Sequence, residues 1–281
     1  SQAGHIKGYW RNNNLTTDGK WKDIANVENL VLDGSDGNVS LGAGEFDFDS
    51  DADDFTISIW GKYNGSDQGT LISRAYDSGT NGGYKIHSGS SNRIHFYVGG
   101  TGRYWTESGD GHQDNKWHLF TLVNYDDDGT QKFVGYVDGV LRTTEGGTVP
   151  AESGSTDVGA TYHTRIGARD HGAGSAVGLF TGSLDNASIW DRSLTIAEVL
   201  SLYNAGRGAD ARTVLSDLTS NLKGYWQFET ENLLTASTVQ DLSGNGKTAT
   251  LISDATVSGN NHGTVTGGVD GFFQSGLQSG R

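Results

Sequence analysis

The stretch EFDFDSDADD, Glu45 to Asp54, places Glu45, Asp47, Asp49 and Asp51 at alternate positions. Alternate residues of a β-strand share one face, so a strand here would line up their carboxylates. Such a row suits the acid and nucleophile of a glycosidase, a cation site, or a solvated edge. Read as an EF-hand-like loop from Asp47, the ligand positions Asp47, Asp49, Asp51 and Asp53 are filled. Ala52 stands where glycine is required, however, and Ser58 where a bidentate glutamate is required, so that motif is absent. A looser cage of carboxylates and carbonyls stays open.

Other chemistry is narrowed by what the chain lacks. Without cysteine there is no disulfide framework, thiolate metal site or cysteine nucleophile. The eight histidines make no His-x-x-x-His pair or tight zinc spacing, and no serine sits in a nucleophile elbow. Sugar binding needs exposed aromatic rings with hydrogen-bonding neighbours. Two loop-like clusters supply them: TGRYWTESGDGHQD with Tyr104, Trp105 and His112, and ATYHTR with Tyr162 and His163. These are the candidate ligand-binding residues, with Trp105 the main stacking platform; Trp60, Trp117 and Trp190 fall inside strand-like blocks and are expected in the core.

The formal net charge of −14 excludes a nucleic-acid partner, which needs clustered Lys and Arg, and disfavours anionic membranes. No window approaches a membrane span and no basic-plus-apolar leader opens the chain, so a soluble protein without membrane insertion is expected. The absence of methionine suggests a piece of a longer chain. Sequons at Asn14, Asn38, Asn64 and Asn186 matter only in a eukaryotic secretory pathway.

Strand patterns must position the candidate groups. FTISIW alternates Phe55, Ile57 and Ile59 against Thr56, Ser58 and Trp60, the period of a half-buried strand. RIHFYV, HLFTLVNY and KFVGYVDG follow in the same style, with Asp-Gly turns at Asp128-Gly129 and Asp138-Gly139 suited to hairpins. One helix is expected in SLTIAEVLSLYNAG. Ile196, Val199, Leu200 and Tyr203 form its apolar face, Thr195 and Glu198 its capping box, and Gly206 its C-terminal stop. The opening IKGYW, Ile6 to Trp10, returns as LKGYW, Leu222 to Trp226, each followed by an Asp-aliphatic pair, Asp23-Ile24 and Asp241-Leu242. The expected domains are therefore 1–207, a linker at 208–221, and an extension at 222–281 that repeats the opening element. The extension is expected to pack on the main domain, on a neighbouring subunit, or on further sequence.

Seven ordered blocks, GYW, NLVLDGSDGNVSL, DFTISIW, NKWHLFTLVNY, GYVDGVL, TRIGAR and GSLDNASIWDRSLTIAEVLSLY, together resemble the laminin-G-like, concanavalin A-like lectin domain over residues 6 to 207. The resemblance implies an all-β fold, a two-sheet antiparallel jelly-roll sandwich with one short surface helix. It also implies a secreted or surface-displayed binding module that recognises glycans or neighbouring surface or virion proteins. The KGYW echo with DLSGNG, Asp241 to Gly246, is similar to phage structural proteins that decorate tails or capsids. The resemblance further implies a structural calcium tying an early strand to the last one, with Asp33, Asp36 and Asp185 as ligands. Related hydrolases carry Glu-x-Asp-x-x-Glu; here Glu45 and Asp47 match and the third carboxylate is missing, so the expected protein is not an enzyme. Two alternatives stand beside the glycan-binding reading. One is a decoration protein that self-assembles into a homo-oligomer through its C-terminal segment; the other is a polysaccharide-cleaving enzyme.

Overall fold

A computed structural model of the chain describes residues 28–48, 53–63, 69–75, 82–99, 102–106, 108–109, 112–142, 151–153, 158–172 and 174–258. Among the described residues, two nine-stranded antiparallel sheets stack face to face. In order across the first sheet lie β10 (Val140–Leu141), β9 (Thr130–Val137), β8 (Trp117–Asp127), β3 (Phe55–Tyr63), β15 (Thr181–Trp190), β1 (Asn29–Asp33) and β20 (Thr256–Ser258). β11 (Ala151–Glu152) also pairs with β9, and β16 (Leu222–Trp226) with β15. The second sheet runs β17 (Leu233–Thr235), β18 (Thr238–Val239), β19 (Ala249–Ile252), β2 (Asn38–Ala43), β12 (His163–Ile166), β4 (Thr70–Arg74), β5 (Tyr84–Gly89), β6 (Arg93–Val98) and β7 (Gly102–Trp105). A small hairpin, β13 (Arg169–Asp170) with β14 (Ala176–Val177), follows β12.

The alternation read from the sequence explains the layering. Phe55, Ile57 and Ile59 of β3 meet Tyr84, Ile86, Phe96 and Val98 of the second sheet in the main core. The sheets approach so closely that a Cβ on Gly135 would lie 2.3 Å from the Phe96 ring. Both Asp-Gly turns form as expected, with positive φ at Asp128, Gly129, Asp138 and Gly139, the pattern of type I′ hairpins.

Three expectations change. β3 is not half-buried, because α1 (Ile196–Ala205) and α2 (Ala211–Val214) cover the far side of the first sheet. There Trp60 and Trp190 form a second core with Leu119, Val199, Leu202 and Tyr225. The α1 capping box forms as read, but its buried residues are Val199 and Leu202, while Ile196 and Leu200 are 46% and 37% exposed. The 208–221 segment is not a linker: Ala211 and Leu215 are buried in the second core, and Asp210 caps α2. Of the three places considered for the C-terminal extension, residues 222–258 take the main domain. They supply β16 and β20 to the first sheet and β17, β18 and β19 to the second. Trp226 and Phe228 enter the main core.

EFDFD proves to be a connection whose aromatic residues turn inward. Phe46, at φ 56°, packs edge-on against Trp226, and Phe48 stacks on Phe55 at 4.9 Å. The carboxylates are held by cations: Glu45 lies 2.5 Å from Lys247 Nζ, and Asp47 lies 2.7 Å from the Arg74 guanidinium. Residues 49–52 and the IKGYW copy lie outside the described residues.

Candidate functional site

On β2 and β12, residues alternate between the core and the opposite face. Val39, Leu41 and Ile166 point inward, which leaves Asn38, Ser40, His163 and Arg165 away from the main core. Register places Arg165 directly across from Ser40 on one side and Ser73 on the other. Together with Asp36, Leu179 and Ile252, these four residues line a cavity of about 330 Å³. That volume is at the lower end for small-ligand sites.

The cavity floor is fixed by a buried polar network. Arg165, 2% exposed, donates 2.7 Å to Asn38 Oδ1 and 2.6 Å to the Gly174 carbonyl. Its guanidinium also lies 3.5 Å from the fully buried Asp170 carboxylate. Burial lowers the Arg165 pKa and Asp170 acts against that shift. Asp170 also accepts the His163 backbone N–H at 2.6 Å, which ties β12 to the β13–β14 hairpin at the cavity's edge. Ser40 Oγ and His163 Nδ1 share a 2.7 Å hydrogen bond, so the ring carries Nε2 as its second polar atom. Arg74, buried beneath this end of the sheet, donates to the Tyr162 and Gly159 carbonyls and so holds the approach to β12. The result is a wall of hydrogen-bonding side chains with apolar side chains at its margin.

The five expected ligand residues are not brought together. His163 lines the cavity, and Tyr162, half-buried beside it, packs its ring against Gly172. Tyr104 and Trp105 belong to β7, four strands from β12 and hence about 19 Å away across the sheet. Trp105 pairs with His95; its side chain lies outside the described residues. His112 is buried, its ring edge-on to His118 and Phe120. Trp60 and Trp190 are in the core as read, while Trp117 is half-buried beneath the Arg207 guanidinium at 4.1 Å. Asn38 and Asn186, both in sequons, are buried.

The expected calcium trio also separates. Asp33 stands opposite Thr181, four residues along β15 from Asp185, a spacing of about 13 Å. Asp185, 1% exposed, is committed to Arg207 at 3.0 Å and to the backbone N–H groups of Asn186 and Phe228. Burial pushes Asp185 up to about 6 despite these partners. Asp33 remains near Asp36 on the turn after β1. The Ser35 N–H holds Asp33 low, while Asp254, hydrogen-bonded to Asp33, is pushed up. Among the described residues no three His, Asp or Glu side chains form a ready metal site.

What the residue-by-residue reading missed is Arg165, Asn38, Ser40 and Asp170. A signal was present: TRIGAR puts an arginine on the outward beat of a strand otherwise packed inward. Glu45 and Asp47, the pair weighed for a glycosidase, flank a left-handed Phe46 and run to different cations.

The chain belongs to the concanavalin A-like lectin/glucanases superfamily, whose family profile matches residues 33–200. A search of curated proteins returned no match. Among solved structures, one proposed to be a carbohydrate-binding protein, from Bacteroides ovatus, is similar with a TM-score of 0.56 and 15% identity over 83% of this chain. This chain spans 60% of that protein's length. A heptameric SAP-like pentraxin from Limulus polyphemus has a TM-score of 0.44 at 14% identity, over 65% of this chain and 83% of that one. Domain 4 of the extracellular arabinanase AbnA from Geobacillus stearothermophilus, solved with arabinotriose, has 0.45 at 18%, over 62% and 75%. No helix among the described residues is long and apolar enough to cross a membrane.

Proposed function

We propose that the protein is a non-catalytic glycan-binding module, displayed outside the cell or on a virion surface, whose ligand enters the cavity between β2, β12 and the β13–β14 hairpin. The observation that carries this reading is the polar lining fixed on rigid strands: Asn38, Ser40, His163 and Arg165 supply donors and acceptors beside Leu179 and Ile252. This is the composition that orients a sugar's hydroxyls while covering its apolar face. The carbohydrate-binding name of the Bacteroides ovatus relative supports the class of ligand. A glycan array tests it: the wild-type chain should retain one family of saccharides, and His163→Ala should lower that signal at least tenfold with unchanged melting. An array on which nothing is retained, or on which His163→Ala matches wild type, contradicts the proposal.

Calcium enters the proposal at Asp33 and Asp36, without Asp185. Asp36 lines the cavity, and Asp33 and Asp254 share a hydrogen bond, oxygen ligands of the kind a hard cation takes. The rest of the shell would come from backbone carbonyls or ligand hydroxyls. Added calcium should raise the melting temperature of the wild type and leave Asp36→Ala unmoved; an equal response from both removes calcium from this turn.

A further inference from the structure

Charge is divided unevenly between the two sheets. The chain carries 34 Asp and Glu residues and a formal net charge of −14, yet none of those acids falls on the nine strands of the second sheet. Five cations do: Arg74, Lys85, Arg93, Arg103 and Arg165. Ile86, Ile94 and Phe96 point into the main core, so Lys85, His87 and His95 take the outer face, the one onto which the β2–β12 cavity opens. Register carries that face straight out of the cavity. Arg165 stands across from Ser73, Ser73 from Lys85, and Lys85 from Tyr97, a row of about 14 Å at the usual spacing of neighbouring strands.

The side chains of this face crowd positive groups together. The Lys85 ammonium lies 4.6 Å over the Tyr97 ring. In the next row His87 shares a 3.1 Å hydrogen bond with Thr70, and its ring is 5.7 Å from that of His95. His95 fits because Gly89 has no side chain: a Cβ there would lie 2.4 Å from the His95 Nε2. Arg169 reaches in from β13, its Nε 2.8 Å from where a Cβ on Gly178 would stand, and the Gly178 carbonyl accepts the Thr70 N–H. Burial first, and then the positive neighbours Arg169, His95 and Lys85, hold the His87 pKa well below that of a free histidine. Carboxylates meet the cations at the cavity end. Asp170 lies against Arg165 and Asp47 against Arg74, while Asp36 sits just before β2, across β12 from β4.

Resting on the glycan-binding reading, we propose that the saccharide taken by the β2–β12 cavity is acidic, bearing carboxylate or sulfate groups, and that its charged units continue over the outer face to Lys85 and Arg169. Charge complementarity carries this. Lys and Arg give an anion charge-assisted hydrogen bonds, and the acids concentrated on the rest of the molecule repel the same ligand and so confine it to this face.

The test measures retention of the full chain on polygalacturonate, dextran sulfate and uncharged dextran at low and high salt. At least one polyanion should retain the chain and dextran should not, with retention falling as salt screens the contact. Retention by polygalacturonate alone assigns carboxylate sugars, by dextran sulfate alone sulfated ones, and by both the negative charge they share. Lys85→Gln combined with Arg169→Gln should weaken retention about tenfold or more at unchanged melting. The charge-keeping pair, Lys85→Arg with Arg169→Lys, should retain it. If a glycan array selects only uncharged saccharides and His163→Ala still weakens them, the cavity reading stands and the acidic ligand is overturned. It is overturned equally if neither polyanion retains the chain, if the glutamine pair binds as wild type does, or if the charge-keeping pair binds as weakly as the glutamine pair.

Discussion

His118 is a residue whose chemistry reaches beyond its own strand. Its Nδ1 meets Asp138 at 2.7 Å and its Nε2 meets Asp114 at 3.0 Å, joining the β9–β10 turn to the loop before β8. Burial acts to lower its pKa, but the two carboxylates outweigh it and raise the value above that of a free histidine. With the folded value above the unfolded one, this pairing stabilises fully below about pH 6.5 and fades as pH rises through the folded value. Urea unfolding should therefore show His118→Gln to be more damaging at pH 6 than at pH 8; a pH-independent difference contradicts the assignment. Asp185 offers a second test. Because the buried Arg207 guanidinium loses the carboxylate that sits 3.0 Å from it, Asp185→Ala should cost about 3–5 kcal/mol in denaturant unfolding. A cost that appears only in the presence of calcium would restore Asp185 as a metal ligand.

At the scale of elements, local patterns were legible and long-range ones were not. The period-two runs of β3, β6, β8 and β9, the two Asp-Gly turns and the Thr195–Glu198 capping box all follow from neighbours a few residues apart. Removing the cap with Thr195→Ala should cost about 1 kcal/mol of stability, measured by thermal or urea unfolding, and a silent substitution would show that α1 is held by packing alone. The second core was hidden for a physical reason: an alternating strand reads as half-buried until something is known to cover its other face, and here α1 and α2 do so. Register between segments distant in sequence leaves no local trace, so β16 and β20 read as an appendage although both pair directly into the first sheet. The cavity was half-legible for the same reason. His163 drew notice as an aromatic-rich loop residue, whereas Asn38, Ser40 and Arg165 gain meaning only when β2 and β12 stand side by side.

For the whole molecule, the fold sorts its surfaces by use. One outer face of the sandwich is sealed by helices over a tryptophan-rich second core, and the opposite sheet carries the polar cavity. Because Asn38, Ser40, His163 and Arg165 stand on the paired strands β2 and β12, the polar wall of the cavity is set before a ligand arrives and little ordering cost is left to binding there. The most direct test of this account is backbone NMR titration with the saccharide selected on the array. Amide shifts centred on Asn38, Ser40, His163, Arg165 and Gly174 are the predicted result; shifts centred on β7 around Trp105, with the β2–β12 cavity silent, would contradict it.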